Sequence, residues 1–377
     1  MLRLVIIILL LLASLLTVVK APTYHLWLLA VLAGEYSLLF ISVTILVLLF
    51  GFLPGRYVWQ GSILGVFAVA LYAYPIANAY LIGNELGDDI SQAFPLSKKS
   101  RDQDLLKPFS FTNLFKQDSK STAYKAFTYA FYSDTSLTLD YYPAAIKGKR
   151  PCVMVIHGGS WSSGDSRQLP ELNAVMSQAG YQVVSINYRL SPKWQSPAPL
   201  QDVAAALTYL HTHADELQID TSNIILLGRS AGAQIALLAA YTLKQQGIKG
   251  VIDFYGPADM VWGYSLPASK LVMDSRQVMA NYLGGYYDKV AEQYAESSPI
   301  EFVNRQTVPT LMIHGGNDVL VAYGHSERLS RKLTQNQVPF YWLKLPWATH
   351  GFDYHLNGPG GQLSTYAVLQ FLRGVLR

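Results

Sequence analysis

A single cysteine, Cys152, stands among 377 residues. That excludes an intrachain disulfide and a cysteine-based metal site, and it leaves the redox compartment open. Its place at the start of an apolar β-type run reads as a small buried core residue. Charge is scarce too. Asp, Glu, Lys and Arg make up 14% of the chain, against about 25% in an ordinary soluble domain. The net charge of +4 gathers into no basic face, so no nucleic-acid partner is expected. With 51% of the residues hydrophobic, part of this chain does not face water.

The apolar excess lies at the N-terminus, in the runs Leu4 to Val19, Leu26 to Leu53 and Val58 to Ile82. A spanning helix needs about 20 largely apolar residues. Arg3 followed by an apolar stretch resembles a signal peptide, but no small-x-small cleavage site follows, and two more apolar runs come directly after. Residues 1–82 are therefore expected to form a membrane anchor of about three transmembrane helices in contact with lipid. Lys20-Ala21-Pro22 and the stretch Gly51 to Arg56 would break them. Basic residues near the helix ends, Arg3 and Arg56 on one side against Lys20 on the other, lean towards an extracytoplasmic C-terminal domain, although Lys98, Lys99 and Arg101 pull the other way. Glu35 interrupts the second run; it is read as a residue near the membrane interface, the other reading being an intramembrane contact or functional group. Residues 83–125 turn polar and are expected to be a linker or membrane-surface collar, with Phe94, Phe109, Phe111 and Phe115 touching lipid or the next domain.

From residue 126 to the end, short apolar strands alternate with helical stretches. Phe127 to Tyr132 and Leu137 to Tyr142 read as an antiparallel pair, followed by six further strands up to Phe340 to Leu345. Continuous apolar strands separated by helices predict a mostly parallel eight-stranded α/β sheet covered on both faces. The segment from Met260 to Tyr287, rich in Tyr, Met and Trp, breaks that rhythm. It reads as a cap near 260–300 that shapes an apolar pocket, or as extra packing.

Within this pattern the strand Asn223 to Leu227 runs into Gly228-Arg229-Ser230-Ala231-Gly232 and then into a helix-forming stretch. A serine on so tight a strand-to-helix turn lifts its hydroxyl clear of the sheet, and glycine leaves room on either side. Ser230 is thus the candidate nucleophile. Asp318 follows the strand that ends at Ile313, and His350 follows the strand that ends at Leu345; both fall where open α/β sheets place ligand and catalytic groups. A serine hydroxyl is a poor nucleophile until an imidazole takes its proton, and a carboxylate fixes that imidazole's tautomer. Asp253 and Asp259 are the alternative acids, less well placed than Asp318. His157-Gly158-Gly159-Ser160-Trp161 ends another strand, and the backbone N–H groups of Gly158, Gly159 and Ser160, with that of Ala231, are the expected oxyanion hole. His157 and His314 read as structural, His325 as a helix start, and His211 and His213, two apart on a helix, as poor metal ligands.

These motifs, with Asn187-Tyr188-Arg189-Leu190-Ser191-Pro192, Pro199, Asp202 and His350-Gly351-Phe352, give residues 126–377 a pattern that resembles the α/β-hydrolase superfamily. The likeness is to its serine esterases near the hormone-sensitive-lipase-like, kynurenine-formamidase-like and bacterial feruloyl-esterase-like branches. Ser160-Trp161 replaces the third small residue of the hormone-sensitive-lipase loop. The resemblance, which does not extend to the first 125 residues, implies an α/β-hydrolase fold and a serine hydrolase cleaving a small-molecule or lipid-like carboxylic ester, without cofactor or metal; the apolar N-terminal runs add the expectation that this hydrolase is membrane-anchored. An amidase, formamidase or peptidase would use the same triad, and a non-catalytic binding protein would use the same fold.

Overall fold

The computed structural model describes residues 1–50, 57–95, 107–117, 123–243 and 247–376. The expected break at Gly51 to Arg56 and the cluster Lys98, Lys99, Arg101 lie outside the described residues.

Eight strands form one sheet in the order β1-β2-β4-β3-β5-β6-β7-β8. They are β1 (Lys125–Tyr132), β2 (Thr135–Tyr142), β3 (Arg150–Ile156), β4 (Gln182–Ile186), β5 (Ile219–Arg229), β6 (Ile248–Phe254), β7 (Thr310–Gly315) and β8 (Phe340–Leu345). β2 is antiparallel to both β1 and β4, and every other pairing is parallel. Parallel strands must be covered on both faces, and β3, β4 and β7 accordingly carry almost wholly buried side chains. One face is covered by the helices Ala198–Thr212 (α6) and Ala231–Thr242 (α7), whose Leu207, Leu210, Ile235 and Ala236 meet Met154, Ile186 and Leu226 of the sheet. The other is covered by Pro170–Gln178 (α5) and Pro359–Val375 (α12), through Leu172, Met176, Leu363 and Phe371. Between β6 and β7 lie three short helices, Met260–Ser265 (α8), Ser275–Leu283 (α9) and Ala291–Glu296 (α10), where the cap was expected. Gly324–Gln335 (α11) follows β7.

The N-terminal region departs from three simple spans. Its helices are Leu2–Leu15 (α1), Tyr24–Glu35 (α2), Ser37–Leu49 (α3) and Val58–Ala93 (α4). Among the described residues α4 alone is long and apolar enough to cross a membrane, while α2 and α3 together are bent by 87° at their junction. Glu35 lies at that junction. Its carboxylate is 3% exposed and takes the backbone N–H groups of Gly360 (2.9 Å) and Gly361 (3.3 Å), at the N-terminus of α12. A helix N-terminus leaves N–H groups unpaired within the helix, and a carboxyl oxygen can accept them. Glu35 is therefore a buried contact to the hydrolase domain, and it holds α2 against that domain while α3 turns away.

Residues 83–125 are also not all linker, because α4 continues the third apolar run to Ala93. At about 1.5 Å per residue its 36 residues extend about 54 Å, well beyond the ~30 Å of a hydrocarbon core. Its first half leaves Ile63 and Val66 more than 60% exposed. Its second half buries Ile76, Ala79, Gly83, Leu86 and Ile90, a seam of three- and four-residue steps that joins the core on the α12 face. Phe94 packs edge-on against Phe371 at 4.8 Å, and Phe109 is buried, whereas Phe111 and Phe115 stay exposed. Arg3, counted above among charges at a helix end, donates to the carbonyls of Val47 and Leu48 near the end of α3 and to Ser62 Oγ at 2.9 Å.

Candidate active site

β5 delivers Ser230 at the carboxyl edge of the sheet, with φ 54° and ψ −120°. A side chain in that region of backbone space is strained, and the surroundings show what holds it there. A Cβ on Gly228 would lie 2.2 Å from the Gly232 carbonyl oxygen, and one on Gly232 would lie 2.2 Å from the Ile156 carbonyl oxygen. The two glycines let β5 turn into α7 with β3 pressed against the turn. The Ser230 N–H donates to the Phe254 carbonyl of β6 at 2.9 Å, pinning the turn from the other side.

The loop after β8 carries His350 to this point. Its Nε2 lies 2.9 Å from Ser230 Oγ and its Nδ1 lies 2.7 Å from Asp318 Oδ2. The other oxygen of Asp318 accepts the backbone N–H groups of Leu320 (2.8 Å) and Val321 (2.9 Å), so the carboxylate cannot rotate freely. His314 Nε2 also approaches Asp318 Oδ2, at 3.2 Å. Burial by itself would raise the Asp318 pKa; the charges and hydrogen bonds of His350 and His314 outweigh it and hold the carboxyl far below its ordinary range. Residues 230, 318 and 350 are thus gathered in one chain of hydrogen bonds, although they arrive from three separate loops.

The alternative acids are occupied elsewhere. Asp253 Oδ1 accepts the Gly256 N–H at 2.7 Å, and burial pushes its carboxyl up to about 7. Asp259 caps α8 through the Trp262 N–H and pairs with Arg328 at 2.8 Å. His325 is buried and held down to about 3 by desolvation, and it accepts the Asp259 N–H at 3.3 Å. His157 stacks on Tyr188 at 4.3 Å between ring centres and places Nδ1 2.7 Å from the Gly158 carbonyl. His213 stacks on Tyr209, away from the site.

The loop after β3 lies beside Ser230. A Cβ on Gly158 would stand 3.4 Å from Ser230 Cβ, and Gly159, at φ 120°, would drive one to within 2.0 Å of the Ser163 carbonyl oxygen. Ser160 and Trp161 both take positive φ, a tight curl that turns successive N–H groups to one side. One expected donor is already engaged: the Gly158 N–H donates to Gln168 Oε1 at 2.7 Å. Gly159, Ser160 and Ala231 remain as the N–H groups beside Ser230. Trp161 anchors the loop by donating to Gln234 Oε1 at 2.9 Å and by stacking flat on Tyr282 of α9 at 4.5 Å.

Several contacts around the site are not announced by the motifs alone. Trp27 of α2 donates its Nε1–H to the His350 carbonyl at 3.0 Å across 323 residues of sequence. Tyr255 lies 4.3 Å from the His350 ring and donates to Asp353, which also pairs with Arg229 Nε at 2.5 Å. Arg229 precedes Ser230 and Asp353 follows His350 by three residues, so this buried pair ties the two loops together. The hydroxyl of Tyr132 and the side chain of Arg189 both reach Asp202, the latter at 2.9 Å, which fixes the turn after β4.

Two cavities meet at Ser230. A wide cleft of about 750 Å³ is lined by His350, Gly159, Tyr255 and the α2 residues Trp27, Leu28 and Val31. A narrow pocket of about 50 Å³ runs beneath the cap between Trp161, Ala231, Pro257 and Met279. Among the described residues no group of three His, Cys, Asp or Glu side chains is placed to hold a metal ion.

Known proteins share this framework. Over 249 residues the chain is 28% identical to the probable carboxylic ester hydrolase LipM and 30% identical to esterase LipC, both of Mycobacterium tuberculosis. Those alignments take in 61% and 60% of this chain, which spans 56% and 59% of the two relatives' lengths. Among solved structures, a bacterial heroin esterase superposes with a TM-score of 0.61 at 21% identity, over 68% of this chain and 84% of that one. An esterase of Pyrobaculum calidifontis superposes at 0.58 and 20% identity, over 74% and 98%. At these identities the superpositions establish the α/β-hydrolase fold. The BD-FAE family profile matches residues 139–333, more than half of the chain and the stretch that carries the Gly158 loop, Ser230 and Asp318, and the chain belongs to that family.

Proposed function

We propose that this protein is a membrane-anchored serine carboxylesterase. The observation that carries the reading is the unbroken chain from Ser230 Oγ through His350 to Asp318, at 2.9 and 2.7 Å. His350 Nε2 takes the hydroxyl proton as Ser230 Oγ bonds to the ester carbonyl carbon. The carbonyl oxygen becomes an oxyanion beside the N–H groups of Gly159, Ser160 and Ala231. The bond to the alcohol oxygen then breaks, and His350 returns the proton to that oxygen. Water attacks the acyl enzyme with His350 taking its proton, the acid leaves, and the proton goes back to Ser230. The esterase names of the relatives support the ester as substrate. The exposed apolar flanks of α1, α3 and the first half of α4 support contact with lipid.

A fluorophosphonate probe on membranes carrying the chain, beside Ser230→Ala, tests this. The parent is expected to label and the variant to stay blank. An impermeant form of the probe is expected to label sealed cells, as the charge count at the helix ends predicts. Equal labelling of parent and variant refutes Ser230 as the nucleophile; failure to label a folded parent refutes the enzyme itself.

A further inference from the structure

The two cavities at Ser230 differ in which catalytic groups they contain. His350 and Gly351 line the wide cleft and not the narrow pocket, whereas Ala231 and His325 line the narrow pocket and not the wide cleft. Ser230, Ser160, Met273 and Leu320 belong to both. In acyl transfer the leaving oxygen must sit beside the imidazole that protonates it, and the acyl chain must leave the carbonyl carbon in the other direction. The alcohol therefore belongs in the wide cleft and the acyl group in the narrow pocket.

Size sharpens the assignment. Against a cavity of about 150 Å³ that holds benzene, a pocket of about 50 Å³ admits only a few heavy atoms. Trp161, stacked on Tyr282 and bonded to Gln234, closes one wall with a side chain that cannot swing aside. The cleft on the other side holds fifteen times as much, and one of its walls is unusual. Tyr24, Trp27, Leu28, Val31 and Leu32 of α2 all face it, at the i, i+3, i+4, i+7, i+8 spacing by which a helix ordinarily buries a stripe in a core. Here the stripe faces open space beside the nucleophile, and Leu28 and Leu32 keep 42% and 43% of their surface exposed. Two contacts hold it in place: the Tyr24 N–H donates to the Leu271 carbonyl of the cap at 3.0 Å, and Trp27 donates to His350. Among the described residues the cleft lining carries no carboxylate and no lysine, and its one arginine, Arg229, is buried in its pair with Asp353.

We propose that the enzyme cleaves short-acyl esters, of acetyl to butyryl size, of large uncharged apolar alcohols, with α2 as the wall that binds the alcohol. This rests on the esterase reading above and specifies its substrate. An alcohol of that kind partitions into lipid, and α2 joins directly to the apolar α3, so the cleft borders the surface through which such a molecule arrives.

Octyl acetate and ethyl octanoate have the same atoms and differ only in which side of the ester bears the long chain. With the full-length protein in detergent, kcat/KM for octyl acetate is expected to exceed that for ethyl octanoate by a hundredfold or more. The comparison is made on kcat/KM because ethyl and octyl acetate leave the same acetyl enzyme and share its hydrolysis rate. Replacing Leu28 and Leu32 together by Gln is expected to lower the octyl acetate to ethyl acetate ratio of kcat/KM at least tenfold. Equal rates on the two isomers, a preference for ethyl octanoate, or cleavage of neither by protein whose Ser230 still labels overturns the subsite assignment while leaving the serine hydrolase standing. An unchanged ratio in the double variant overturns the role of α2. Loss of fluorophosphonate labelling in the folded parent overturns both.

Discussion

Replacing Asp318 by Asn changes one atom and reverses one hydrogen bond. In the parent, Asp318 Oδ2 accepts from His350 Nδ1 at 2.7 Å while Oδ1 accepts the N–H groups of Leu320 and Val321. An asparagine must keep its carbonyl oxygen towards those two backbone donors, because turning its NH2 to them would set donor against donor at 2.8 and 2.9 Å. Its NH2 then faces His350 Nδ1, which can only accept. The proton moves to Nε2, the nitrogen 2.9 Å from Ser230 Oγ, and the imidazole can no longer take the hydroxyl proton. The imidazolium formed in the transition state also loses its carboxylate. The same exchange in a serine protease costs about 10⁴ in kcat, which is about 5.4 kcal/mol of barrier. A fall of about 10³ to 10⁴ is expected here in kcat for p-nitrophenyl acetate, with KM changed less than threefold because Asp318 does not line either cavity. Circular dichroism and a thermal melt beside the kinetics establish that the fold is retained. A folded Asp318→Asn protein within tenfold of the parent's kcat would refute the reasoning, and Asp318 would then be no more than a structural partner of His314.

Two further substitutions test the frame around the site. Glu35→Ala removes the acceptor for the Gly360 and Gly361 N–H groups; leaving a buried donor unpaired costs about 1–3 kcal/mol, so a melting temperature lower by several degrees is expected, with Glu35→Gln, which keeps an acceptor oxygen, in between, and an unchanged melt would show that α2 docks without it. Asp253→Asn tests a buried carboxyl raised by desolvation to about 7. Because its folded pKa lies above the unfolded value, its contribution is fully present below about pH 4 and is lost as pH rises through about 7, a swing of about 4 kcal/mol. The melting temperature of the variant minus that of the parent should therefore climb between pH 4 and 7 and level off above it, and a difference flat across that range would contradict the burial argument.

What the sequence made legible was local. The glycines around Ser230 are forced by backbone approaches of about 2 Å, and Asp318 and His350 follow strands whose apolar runs are unmistakable, so each announces itself within a few residues. The loop proposed to hold the oxyanion lies beside Ser230, but the Gly158 N–H goes to Gln168, ten residues on, and no spacing rule signals that bond. Arg229 with Asp353 went unnoticed because its partners lie 124 residues apart.

The N-terminal helices show why composition alone misassigns apolar surface. Hydropathy records that a face avoids water, and lipid, a protein core and an apolar substrate satisfy that demand equally. The first half of α4, the Ile76 to Ile90 seam and the Tyr24 to Leu32 stripe are alike by that measure, yet the first is exposed, the second belongs to the hydrolase core and the third walls the cleft at Ser230. The polar interruptions separate them. Glu35 can be buried only where donors await it, and those donors are the α12 amides of the hydrolase domain. That one carboxyl group fixes α2 to the hydrolase domain, and with Trp27 bonded to His350 it makes a segment whose composition reads as a membrane anchor one wall of the candidate site.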